Sequence, residues 1–290
     1  MNMDKIFRLF LLGCFVLPTT AMANNDCTQT QTCIEVDRWD LGIAVGIGSR
    51  SNPIVDHDNI PVYVAPSIAY YGNSWFFDNG NLGYSLIERE QFTINLATLY
   101  TAESGYFNDW DPSNFFVLSN NRQPVGKQPS QHAMLADAYI NLNELEHRHF
   151  TLLGSVEAFY YSRIGIFKFV LGHDILDVHN GMQGDIKWNY SIAYAQWLFD
   201  AGISTTWKSK ELIQYYYGVR ESENQFWHQA YQASSGWSQS AEITTRYLID
   251  THWDAVVALR YTKFADAITS SPLLSKGYST TYFVGMAYKF

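Results

Sequence analysis

The chain has 290 residues, 47 % of them hydrophobic and 16 % aromatic, with a formal net charge of −9. An acidic chain repels nucleic acid, and no basic cluster interleaved with aromatics opposes that, so a nucleic-acid partner is excluded. After the first 23 residues there is no run of about 18 apolar residues, so no helix is expected to cross a membrane, and the length suits one large β domain or two ordinary domains.

The N-terminus reads as a secretory signal peptide over 1–23. Lys5 and Arg8 supply the basic region, Leu9 to Leu17 an apolar run, Pro18 a break, and Ala21-Met22-Ala23 a small-residue cleavage site. Leu11-Leu12-Gly13-Cys14 faintly resembles a lipoprotein box but leaves almost no apolar stretch before the cysteine, so the later site is preferred. Removing Asp4, Lys5 and Arg8 takes the net charge from −9 to −10. Residues 24–38 then form a periplasmic arm holding Cys27 and Cys33. In an oxidising compartment these are expected to close a small disulfide loop. A metal or redox role has neither C-x-x-C spacing nor a nearby histidine to support it.

From residue 39 the pattern alternates at period two, the mark of strands. Leu41, Ile43, Val45 and Ile47 interleave with Gly42, Ala44, Gly46 and Gly48, a large apolar face against a face of the smallest residues. Val62 to Tyr70 continues the alternation, and Tyr71-Gly72-Asn73-Ser74 is a turn. Phe76 to Ile87 reads as a third strand, with Asn79-Gly80 marking a bulge or hairpin within it. Phe92 to Tyr100 follows, then a long irregular stretch, Thr101–Gln131, rich in Gly and Pro. Strands resume at His132–Leu142, Phe150–Tyr161, Ile164–His173, Ile186–Leu198 and Gly202–Trp207. After a polar and aromatic connection, Ser209 to Ser234, come Gly236–Ile249, Trp253–Phe264 and Tyr278–Phe290.

The count is about twelve strands, roughly ten to fourteen, and an even number lets both ends of a closed barrel lie in the periplasm. With the first strand running outward, short turns face the periplasm and most longer connections face outside. Thr101–Gln131 breaks the rule, being long and on the periplasmic side in this count. Either the count is off by one strand there or the loop is unusual. In hydrocarbon no water satisfies backbone N–H and C=O groups, so an open sheet edge is forbidden and the sheet must close. The last strand, with Tyr282, Val284, Met286, Tyr288 and Phe290 on one face, therefore pairs with the first. The expected fold is an all-β, closed antiparallel transmembrane β-barrel over 39–290, surrounded by outer-membrane lipid. The rival reading of these patterns is a soluble periplasmic β-sandwich.

The segments "WDLGIAVGIGSRSNP", "IPVYVAPSIAYYGNSWFFDNGNLGYSL", "YYYGVRESENQF", "WDAVVALRYTKF" and "SSPLL", in this order and ending on an aromatic, resemble the MipA/OmpV family of outer-membrane proteins. The pattern after the first strand departs from the family, since Pro53 is followed by Ile54-Val55-Asp56-His57. The resemblance implies an outer-membrane location in a Gram-negative bacterium. It implies a scaffold role like that of the founding member, which joins a lytic transglycosylase to a penicillin-binding protein. Other members look like porin-type proteins, so a small channel is the alternative. The terminal aromatic is also what barrel-assembly machinery reads in such proteins. The family supplies no catalytic residues and no cofactor.

The residues offer little chemistry of their own. Glu144, Glu146, His147 and His149 look like a metal cluster, against the plainer reading of a charged loop rim. His173, Asp174, Asp177 and His179 form a second acid-histidine group suited to weak cation binding. Ser155, Glu157, His252 and Asp254 lie on or beside predicted strands, as an outer-membrane lipid hydrolase would require, but nothing places them within reach of one another. No G-x-S-x-G, H-E-x-x-H or phosphate loop occurs. Arg260 and Lys289 face the lumen, with Asp254 joining them if it points inward, and charges there either tune a pore or pair off and fill it. The aromatic stretch Gln214–Ala233 is either a partner surface or loop packing.

Overall fold

The computed structural model describes residues 37–108, 111–116 and 145–290. Twelve antiparallel strands form a closed barrel. They are β1 Trp39–Arg50, β2 Ile60–Tyr71, β3 Trp75–Asp78, β4 Asn81–Glu88, β5 Phe92–Tyr100, β6 Leu152–Ser162, β7 Gly165–Asp174, β8 Met182–Tyr194, β9 Trp197–Lys208, β10 Gly236–Leu248, β11 Trp253–Lys263 and β12 Tyr278–Lys289. Each strand pairs with its sequence neighbours, and β12 returns to β1.

Alternation decides the two faces. Along β12, Ser279, Thr281 and Phe283 are buried inside, while Tyr278, Val284 and Met286 are exposed outside. The same holds round the ring, where Leu41, Val45, Ile47, Leu96, Val156, Phe169, Ile203, Ile243 and Val257 all stand exposed. A continuous apolar outer surface of this extent belongs in lipid, because soluble monomers rarely expose apolar patches beyond a few hundred Å². Outward aromatics gather at one rim as an interfacial girdle does. Trp39 and Trp75 sit 5.1 and 4.6 Å from Tyr70, Trp197 lies 4.8 Å from Tyr247, and Trp253 lies 4.9 Å from Tyr288.

That rim, the base, carries the short turns 72–74, 89–91, 163–164, 195–196 and 249–252. The opposite end, the mouth, carries 51–59, 101–108, 111–116, 145–151, 175–181, 209–235 and 264–277.

Three details of the sequence reading are revised. The strand Ile186–Leu198 ends earlier, because the chain reverses at 195–196 and Trp197 and Leu198 already pair back with Tyr194 and Ala193 as the start of β9. The segment Phe76–Ile87 is two strands. Asn79 and Gly80 both take positive φ, 51° and 92°, which suits a two-residue hairpin turn and which only Gly and a few short polar residues adopt readily. In addition, β5 pairs directly with β6, from Tyr100↔Leu152 to Phe92↔Tyr160, so the barrel closes without a strand at 132–142, which lies outside the described residues. One extra strand and one omitted strand cancel in the count, but the direction of the chain between them changes. The connection that begins at Thr101 therefore leaves from the mouth, with the other long connections, and the exception to the long-and-short rule disappears.

The closing seam is tight. Gly46 faces Gly285, and a Cβ on Gly46 would lie 2.2 Å from the Val284 carbonyl oxygen. The small inward face of β1 leaves room for Phe283, which is fully buried in the lumen against Ala44, Val62 and Ala65. At the end of the seam Phe290 donates its N–H to Leu41 O (3.0 Å), and Lys289 Nζ meets Asp40 at 3.0 Å. The signal segment and the Cys27–Cys33 pair lie outside the described residues.

Candidate functional site

The mouth is filled by its own connections. After β9 the chain turns into helix α2, Lys210–Tyr217, preceded by the one-turn helix α1, Pro112–Phe115, and followed by α3, Gln225–Ala230, and α4, Asp266–Thr269. Leu212, Ile213, Tyr216 and Tyr217 of α2 have no exposed surface and pack with Ile54, Ile60, Tyr106, Tyr231, Phe264 and Ile268. Each such side chain contributes about 1.5–3 kcal/mol on full burial, so this plug is a genuine core. Its polar tips are satisfied. Tyr216 Oη lies 2.8 Å from Thr151 Oγ1 and donates to His149 O, and Tyr231 Oη donates to Ala267 O at 2.7 Å. Burial pushes the Tyr231 phenol up to about 12 and those of Tyr216 and Tyr217 higher still.

A buried ion pair bolts the plug to the irregular segment that enters β6. Arg148 and Glu223, each with 1 % side-chain exposure, meet through Nη1–Oε1 at 2.6 Å and Nη2–Oε2 at 3.0 Å. Arg148 also donates to Glu146 O and Gly218 O, while Glu223 accepts the N–H groups of Glu146 and Arg220.

Below the plug lies a lumenal chamber of about 250 Å³. Lys208 pairs with Glu103 at its roof. A belt of charge crosses its lower part. Glu242 of β10 faces Arg260 of β11 in register and accepts from Arg260 Nε and Nη2 at 3.0 and 2.8 Å. On the other side Glu242 faces Gly202 of β9. A side chain there would collide with Glu242 Oε1, at 2.7 Å from the added Cβ. With hydrogen in that place, the carboxylate reaches across β9 to Lys187 of β8. Lys168 of β7 meets Glu157 of β6 at 2.7 Å. Asp185 accepts from Thr206 Oγ1 and Gln183 Nε2.

The residues singled out from sequence fall into different places. Glu146 pairs with Arg220 and Ser222, and His147 and His149 stand exposed with ring centroids 5.1 Å apart, while Glu144 lies outside the described residues. Among the described residues no group of three or more His, Cys, Asp or Glu side chains is arranged to hold a metal. Asp174 accepts the N–H groups of Leu176, Val178, His179 and Asn180, so it organises its own loop. His179 Nδ1 accepts from Gly181 N at 2.8 Å, which keeps the ring neutral, and burial pulls its pKa below the ordinary 6.5. Ser155 Oγ donates to Ala97 O, Glu157 serves Lys168, and His252 sits in a base turn against Tyr288, so no nucleophile–base pair forms among them. Of the inward charges, Arg260 joins the belt, Asp254 pairs with Arg246, and Lys289 reaches Asp40. Gln214–Ala233 is largely plug, with Phe226 left exposed.

Sequence reasoning missed Lys168, Lys187 and Glu242. Each sits at an inward position of an alternating strand, so the signal was present, but only the register shows that they meet.

A family model described as MltA-interacting protein MipA matches residues 41–290. The chain is 26 % identical over 251 residues to the MltA-interacting protein of Escherichia coli K12, covering 86 % of this chain and 90 % of that one. It is 23 % identical to the putative outer membrane protein YiaT of the same strain, covering 87 % and 91 %. It is also 23 % identical to the outer membrane protein OmpV of Vibrio cholerae, covering 77 % of each. Among solved structures, a NanC porin aligns with a TM-score of 0.44 and 10 % identity over 86 % of this chain and all of the porin.

Proposed function

Because the chain belongs to the MltA-interacting protein MipA family, we propose that this outer-membrane barrel is a non-catalytic anchor that positions murein-degrading and murein-synthesising enzymes beneath the membrane. The observation that carries the reading is the plug. Four side chains of α2 without exposed surface, bolted by Arg148 and Glu223, stop the mouth. That suits a stable platform rather than an open pore. The relative named for interacting with MltA supports a murein enzyme as partner.

In outer-membrane barrels the short turns face the periplasm, so the base is the docking side. Asp37, just before β1, donates its N–H to Tyr71 O at 2.7 Å at the base end of β2, so the chain enters the barrel from the docking side. The connection starting at Thr101 leaves from the mouth, away from this docking side.

The test is twofold. Purified protein in a planar bilayer should give no steady conductance. It should also capture a lytic transglycosylase or a penicillin-binding protein from envelope extract, and lose that capture when 24–36 is deleted. Steady conductance without capture would reject the reading. A second reading, a small porin, draws on the charged chamber, and the same bilayer trace decides between the two.

A further inference from the structure

An anchor has no need of the chamber's chemistry. In a chain of net charge −9, the chamber carries five cationic side chains against four carboxylates, Glu103, Glu157, Asp185 and the Glu242 of the belt. Lys168, Lys187 and Arg260 converge on only two carboxylates, because Lys187 and Arg260 share Glu242 while Lys168 takes Glu157. The wall from β9 to β12 is built of hydroxyls: Ser204, Thr206, Ser238, Ser240, Thr262 and Thr281. Two buried side-chain carbonyl oxygens in the lining, Asn81 Oδ1 and Gln183 Oε1, have no hydrogen-bond partner in the protein. Native interiors leave few such acceptors unmet, and in a chamber of this size they are met by ordered water or by the hydroxyls of a guest that displaces it. The rings of Tyr100, Tyr106 and Phe264 supply an apolar surface above.

We infer that the chamber is a binding site for a small polyhydroxylated anion, in chemical class a monosaccharide acid. The surplus cation at the belt takes the carboxylate, by charge-assisted hydrogen bonds that are about twice as strong as neutral ones. The ring hydroxyls donate to Asn81 and Gln183 and exchange bonds with the serine and threonine wall. The aromatic rings cover the apolar face of the sugar. Pockets for drug-sized ligands run from about 300 Å³ upward, so about 250 Å³ suits one sugar ring rather than a chain. An inorganic anion would leave the two carbonyl acceptors to water, and a neutral sugar would leave the surplus cation unused. Entry is from the base: the plug is sealed, whereas the Lys168 and Arg260 side chains keep 33 % and 25 % exposure.

The inference goes beyond the anchoring role and stands or falls separately from enzyme capture. The experiment is calorimetric titration of the folded barrel in detergent with D-glucuronate, D-glucose and acetate. Glucuronate should saturate in the millimolar range, with glucose and acetate at least about tenfold weaker, a difference of about 1.4 kcal/mol. Lys187→Met should weaken glucuronate by a similar factor. Lys168→Gln, at a wetter position, provides the same test if the first variant does not give the compact band in unboiled gels. Acetate binding as well as glucuronate would overturn the sugar class, and glucose binding as well would overturn the role of the cations. No saturable signal with glucuronate, or unchanged affinity in the folded variants, would overturn the site.

Discussion

Arg148→Ala is the most informative single change, because two known magnitudes compete for it. An exposed ion pair contributes about 0–1 kcal/mol, whereas stripping one partner from a buried pair costs about 3–5 kcal/mol by leaving a charge uncompensated. With both side chains 1 % exposed and two bonds of 2.6 and 3.0 Å between them, Arg148 and Glu223 belong to the second class. Glu223 keeps two backbone donors in the variant, from Glu146 and Arg220, so the cost should fall near the lower bound, about 3 kcal/mol. That is a roughly hundredfold increase in opening of the plug. Amide exchange over 145–149 and 218–223, measured on folded protein in detergent, reads it directly, while the barrel itself should remain intact in unboiled gels. Arg148→Met combined with Glu223→Leu removes both charges and should recover most of the loss. Exchange that accelerates less than about fivefold in Arg148→Ala would mean the pair behaves as an exposed one, and the argument for a bolted mouth would fail.

Further expectations follow from the same geometry. Gly46→Val should abolish the compact unboiled band, since its Cβ meets the backbone of β12 at 2.2–2.8 Å, whereas Gly42→Ala, with a nearest contact of 3.3 Å, should retain it. Phe283→Ala empties the lumenal cluster at the seam and should cost about 3–5 kcal/mol in denaturant unfolding; a loss under about 1 kcal/mol would show that Phe283 does not pack against β1 and β2. His179 gives the mouth a pH dependence. Burial lowers its pKa below 6.5 more than the carboxylates of Asp174, Glu103 and Glu211 raise it, and His173 adds to the lowering. The open state then binds a proton that the closed state refuses. Its contribution to closure is full above about pH 6.5 and declines as pH falls toward the depressed value. The protection factor of the Gly181 amide, with the intrinsic pH dependence of exchange divided out, should fall at pH 5 relative to pH 7.5 in the parent and not in His179→Gln. Glu223 works in the same sense at lower pH. Burial alone would raise its carboxyl, but hydrogen bonds from Arg148 and the backbone outweigh this and hold it below the ordinary 4.5. Protection factors over 218–223 should therefore fall again as pH drops below about 4.5, more in the parent than in the Arg148→Met/Glu223→Leu pair.

Much of the barrel is written in single strands. Whether Val284 faces out and Phe283 in depends only on period-two geometry, and the need for closure depends only on the absence of water in hydrocarbon. The eleven-residue alternation around Glu157 or Arg260 likewise reveals an inward charge without any knowledge of its neighbours. Partners are another matter. Glu242 finds Lys187 because Gly202, on the strand between them, leaves a gap, and that follows from the register of three strands together. Arg148 finds Glu223 across 75 residues because both are swept into the mouth by loops that fill it. Even the side from which Thr101 departs turned on whether Asn79-Gly80 reverses the chain or merely bends it, a choice made when β3 and β4 each found a partner. Facing is a local property of a strand and is legible one residue at a time. Pairing and filling are properties of a closed ring, where each side chain's surroundings are supplied by segments far away in the chain, and only the assembled barrel decides them.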